Sequence, residues 1–94
     1  MTDKSSLVKL FGNYPRMRVL DFLIENSIFD YSRKDICKET GVSWNTMKGF
    51  WGVLEKKQVV VFTRKVGRAK MFKLNEKNPI VKKLLSLDMM LGEV

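Results

Sequence analysis

The sequence predicts a single α+β domain, mainly helical with one small β-hairpin, and three observations lead there. Apolar residues recur at helical spacing in four separate segments. The runs VVVFT (59–63) and KMFKL (70–74) are β-branched or alternating and flank Gly67, as the strands of a hairpin do. A chain of 94 residues has room for one core, so a single domain spanning 1–94 is expected.

Each element has its own signals. Ser5 or Ser6 is the expected cap of a short helix carrying Leu7, Val8, Leu10 and Phe11, which Gly12 and Asn13 end. Pro15 suits the first turn of a second helix, where Val19, Leu20, Leu23 and Ile24 form one apolar stripe that stops near Asn26. IFDY (28–31) reads as a small strand. Ser32 followed by Asp35 matches a capping box in its Asp form and opens a helix through Glu39. In ETGVSWNTMKG, Gly41 supplies the left-handed residue that ends this helix, Val42 plugs the corner and Ser43 caps the next helix, so 32–57 reads as a helix-turn-helix. At about 100° per residue, Met47, Phe50, Trp51 and Leu54 share the inner side of the second helix, and Asn45, Lys48, Gly49, Gly52 and Lys56 the outer.

The hairpin occupies 59–75. A two-residue Val66-Gly67 loop would force a β-branched residue to positive φ, so a three-residue turn with Gly67 alone in the left-handed region is expected. Phe72 and Leu74 then share one face, and the basic residues gather at the tip with no acid among them. Asn78 caps the last helix and Pro79 opens it. Over 79–91, Ile80, Leu84, Leu87 and Leu91 recur, widened by Val81, Leu85 and Met89. So much apolar surface on a terminal helix predicts packing both on the body and on a second copy. Leu7, Leu10 and Phe11 are expected to join Ile80, Leu84, Leu87 and Leu91 in a homodimer interface.

The net charge of +8 is confined to one half of the chain: eleven basic and three acidic residues lie between Arg33 and Lys73, and the flanks are balanced. That distribution fits a surface built to meet a polyanion. Other classes have little support. There is no histidine, and Cys37 alone forms no internal disulfide, anchors no usual zinc site and is expected to fill a small core position. No Gly-rich phosphate loop, activated nucleophile or acidic metal cluster is visible, so no enzyme, cofactor or small-molecule substrate is expected. No stretch approaches the roughly 20 apolar residues a bilayer requires, and a cytoplasmic, nucleoid-associated location is expected.

Helix, helix, short strand, helix, turn, helix, hairpin, helix is the order of a winged helix-turn-helix domain with N- and C-terminal helices, and residues 5–91 resemble that family. Through SRKDICKETGVSWNTMKGFWGVLEKKQVV and TRKVGRAKMFKLN the chain is similar to small prokaryotic, chiefly archaeal, transcription regulators. The resemblance implies double-stranded DNA as partner, with Ser43 to Lys57 in the major groove, the hairpin as a wing on phosphate or minor groove, and the terminal helices as dimer contacts. It departs at Gln58, where many such domains have glycine, and that corner is expected to differ.

On this reading Asn45 offers paired hydrogen bonds to an adenine edge, and Lys48 reaches guanine or phosphate. Gly49 and Gly52 admit close approach of a DNA backbone or of another chain. Trp44 packs on its neighbours or meets a thymine methyl, Thr46 flanks the helix, and the Ser43 cap also meets phosphate. Arg33 and Lys34 add backbone contacts at a helix start, and Arg64, Lys65, Arg68 and Lys70 supply the wing. The alternative is a winged-helix protein-interaction module, with the glycines and the terminal helix as docking surface.

Overall fold

The computed structural model describes residues 6–92. In chain order they form helices α1 (Ser6–Phe11) and α2 (Pro15–Glu25), strand β1 (Tyr31–Ser32), helices α3 (Arg33–Thr40) and α4 (Trp44–Lys56), strands β2 (Val60–Val66) and β3 (Ala69–Leu74), and helix α5 (Pro79–Gly92). The strands make one antiparallel sheet in the order β1-β3-β2, so the architecture is α+β. The strand expected at 28–31 is shorter and later. Ile28 and Phe29 are exposed ahead of it, and only Tyr31 and Ser32 pair, with Phe72 and Met71.

Helix ends explain most boundaries. The expected cap at Ser5 or the Ser6 hydroxyl lies outside the described residues and side chains. The α1 backbone instead has a distant partner: the Val8 N–H donates to Oδ2 of the buried Asp21 on α2, at 2.9 Å. Ser32 Oγ accepts from the Asp35 N–H (3.1 Å) and Ser43 Oγ from the Thr46 N–H (3.2 Å), so both sequence-read N-caps form. Gly41 ends α3 at φ 75° with its N–H on the Cys37 carbonyl, the single-bond left-handed cap.

The end of α4 uses a less usual residue. Gln58 adopts φ 58°, its N–H donates to the Glu55 carbonyl, and the Val59 N–H donates to the Leu54 carbonyl. That pair of bonds is a Schellman motif with glutamine in the glycine position, closed by the buried Leu54 and Val59. Two asparagines hold it: the Gln58 carbonyl accepts from Asn75 Nδ2 (3.0 Å) and Asn78 Nδ2 (2.8 Å).

Every helix contributes to one core with the hairpin, through Leu7 of α1, Val19 and Leu23 of α2, Ile36 of α3, Met47 and Trp51 of α4, Phe72 and Leu74 of β3, and Val81 of α5. Trp51 meets Phe72 edge-on, with centroids 5.3 Å apart. Leu7 is 0% exposed in its own protomer and leaves no surface for a second copy, which removes it from the expected dimer contacts. Leu84, Leu87 and Leu91 are half-buried against this core. Leu10, Phe11, Ile80, Met89 and Met90 remain exposed.

The hairpin turn also differs from expectation. Val66 pairs with Ala69, which leaves a two-residue loop of Gly67 and Arg68 in which Gly67 takes φ 61°. Glycine first with positive φ is the arrangement of a II′ turn, which matches strand twist. The cause lies four residues before Gly67: the register slips between Phe62 and Arg64, so Thr63 is an extra residue in β2. In an unslipped ladder Arg64 would face Lys70, with three residues in the turn. The slip instead sets Arg64 opposite Met71 and Lys65 opposite Lys70.

Candidate nucleic-acid interface

Three elements converge at the N-terminal ends of α3 and α4. The Ser32 cap puts Arg33 and Lys34 at the first two positions of α3. The three-residue corner Gly41 to Ser43 brings Trp44, the first residue of α4, beside them. Arg33 is half-buried with its guanidinium carbon 5.5 Å from the Trp44 ring centroid and 5.7 Å from that of Phe72. Contact with two aromatic faces fixes a side chain that would otherwise be free in solvent.

Strand alternation brings in the hairpin. Phe72 faces the core, so two residues towards the tip Lys70 lies on the same face but beyond the core's edge. Ser32, Arg33, Lys34, Trp44, Arg68, Ala69 and Lys70 line one open cleft of about 400 Å³. Five of these were selected from sequence, from three separate segments; nothing in spacing alone joins them.

The cleft is electrostatically one-sided. Lys65 stands directly opposite Lys70, with Arg68 in the loop between them, and like charges facing across strands are destabilising. The only ion pair among the described residues joins Asp30 to Arg64. Arg64 Nε and Nη2 donate to the two Asp30 carboxylate oxygens at 3.0 and 3.1 Å, and the Thr63 hydroxyl donates to Oδ2 as well. The expectation that the hairpin cations have no acid near them is therefore corrected for Arg64, which the Thr63 bulge turns to the opposite face. Hydrogen bonds from Arg64 and Thr63 hold the Asp30 carboxyl below its ordinary 3.8, at about 2, and the same pairing pushes the Arg64 guanidinium up.

Along α4, Asn45, Lys48, Gly49 and Gly52 are exposed on the side away from Met47 and Trp51. A Cβ at Gly49 or Gly52 would meet no atom within 4 Å, so the chain's own packing requires neither glycine. Ser43 and Thr46 are already engaged with each other: the Ser43 hydroxyl donates to Thr46 Oγ1 at 2.9 Å and accepts from the Thr46 N–H. Arg16 was not anticipated. It comes from the charge-balanced N-terminal flank and lies over the Phe50 ring of α4, 5.6 Å from its centroid.

Burial pushes the Cys37 thiol up, away from the reactive thiolate, in keeping with a core-filling role. Among the described residues no group of three or more His, Cys, Asp or Glu could hold a metal, and no helix is long and apolar enough to cross a membrane. Comparison with protein-family models, curated proteins and solved structures found no match to this chain.

Proposed function

We propose that the chain is a winged helix-turn-helix protein that binds double-stranded DNA and acts as a cytoplasmic transcription regulator. The carrying observation is the uncompensated cation cluster of Arg33, Lys34, Lys65, Arg68 and Lys70 beside the exposed face of α4. Lys65 opposite Lys70 costs the fold stability, and a phosphate backbone relieves that repulsion on binding. In this reading α4 enters the major groove, with Asn45 and Lys48 at base edges and Gly49 and Gly52 admitting the backbone. The hairpin lies on phosphate or minor groove, and the protein works by occupancy.

A homodimer through α1 and α5 completes the reading. Leu10, Phe11, Ile80, Met89 and Met90 supply its exposed apolar surface. The second reading, a protein-interaction module, is favoured by Val53, 48% exposed on the same helix as the two open glycines.

Selection of bound duplexes from a random pool separates the two readings. DNA regulation predicts enrichment of an inverted repeat with half-sites about one helical turn, roughly 34 Å, apart or a multiple of it. A pool that emerges unenriched counts against sequence-specific regulation.

A further inference from the structure

The cleft between α3, α4 and the hairpin has a feature that contact with a duplex leaves unused. Trp44 forms one wall and is 37% exposed, while Arg33 covers part of its ring. A paired duplex offers base edges in its grooves, such as a thymine methyl, but away from its ends keeps the base faces stacked inside, so it leaves the indole face without a stacking partner. Besides Ser32 and Ala69, the remaining lining is cationic, from Lys34, Arg68 and Lys70, with no acidic residue. A volume of about 400 Å³ falls in the range of small-molecule sites, roughly 300–1,000 Å³.

We infer that this cleft binds a nucleoside phosphate, with its phosphates on Lys34, Arg68 and Lys70 and its base against Trp44. The ligand class follows from the pairing of wall and rim. A lone carboxylate would leave most of the cations unanswered, whereas a di- or triphosphate carries a comparable charge. An inorganic phosphate would leave the tryptophan without a partner, whereas a base stacks on it whatever its identity. Arg33, held against Trp44 and Phe72, orients the indole and adds positive potential at that wall. The nucleotide is either free in solution or an unpaired residue of a nucleic-acid strand, since both present the same base and phosphate.

Calorimetry on the intact chain without DNA tests this, with ATP, adenosine and inorganic triphosphate as probes. ATP is expected to bind at least tenfold more tightly than either fragment. Trp44→Leu should weaken ATP about tenfold and leave inorganic triphosphate unchanged, Trp44→Phe should retain most of the ATP affinity, and Arg68→Ala with Lys70→Ala should weaken both anions. ATP binding no tighter than inorganic triphosphate, or unchanged in a folded Trp44→Leu protein, overturns the inference. A blunt duplex and the same duplex with one unpaired 5′ nucleotide then assign the source. Tighter binding of the overhang, displaced by ATP, marks a strand-borne nucleotide; equal binding of the two duplexes leaves free nucleotide as the ligand. Duplex binding by the α4 face needs none of these outcomes, so failure here leaves the DNA reading standing.

Discussion

At the scale of single residues, two positions show how a side chain's partner decides its role. Arg64 is the most conspicuous cation in the hairpin sequence, yet it is the one that Asp30 neutralises. Removing Arg68 should reduce the salt dependence of DNA binding by about 0.9 in log–log slope, and removing Arg64 should change it clearly less. Equal effects of the two alanines would place Arg64 on the DNA despite its pairing. The Asp30 carboxyl titrates low, so its pairing stabilises the fold above the ordinary 3.8 and is lost as pH falls through about 2. NMR of the side-chain carboxyl should show this value rising toward 3.8 in Arg64→Ala, and an unmoved titration would contradict the assigned cause. Gln58 is the second case. Its left-handed backbone is strained for any residue with a Cβ, so Gln58→Gly should raise stability, by about 0.5–1 kcal/mol in chemical denaturation. A loss of stability would show that the side chain contributes more than the strain costs.

At the scale of elements, what was legible in the sequence is what depends on neighbours along the chain. The caps at Ser32 and Ser43, the left-handed Gly41 and the inner face of α4 follow from local hydrogen bonding and from 3.6-residue periodicity, and they form as read. The hairpin was legible as a hairpin but not in its register. Thr63 carries no mark of a bulge, and one extra residue converts a three-residue turn to Gly67-Arg68 and exchanges Arg64 for Lys65 opposite Lys70. Asp30 was invisible for a related reason: it meets Arg64 of β2, thirty-four residues on in sequence, only because β1 joins β3 in the sheet. The helix α4 gives the prediction that belongs to this scale. With open space at both positions, Gly49→Ala with Gly52→Ala should raise stability, by up to roughly 2 kcal/mol, and lower DNA affinity at the same time. A double variant that is more stable and binds DNA unchanged would remove close backbone approach from the account.

At the scale of the whole molecule, exposed cations and exposed apolar side chains concentrate in different places without separating fully, since the hairpin also exposes Phe62 and Val66 and α5 exposes Lys82 and Lys83. The cations from α3 and the hairpin gather beside α4, while the exposed apolar side chains of α1 and α5 include Leu10, Phe11, Ile80, Met89 and Met90. Periodicity marks an apolar stripe on α5 without saying which neighbour covers each residue of it. Val81 is fully buried and Leu84, Leu87 and Leu91 are half-buried in the protomer itself, so truncation after Asn78 would open the core as well as any interface. Ile80→Lys with Met90→Lys alters only exposed positions and is the cleaner variant. Light scattering at tens of micromolar, where a Kd of about 1 μM would be nearly saturated, should show a dimer for the natural chain and a folded monomer for the variant. A monomeric natural chain would remove the dimer.

A surface that neutralises a nucleic-acid backbone has a direct readout in the salt dependence of its binding to a short mixed-sequence duplex. If Arg33, Lys34, Arg68 and Lys70 each neutralise one phosphate, log K should fall with log salt at a slope of about −3.6 per protomer, a loss of roughly 150-fold between 50 and 200 mM. Absence of binding at 50 mM salt, or a slope shallower than about −1, would contradict the account.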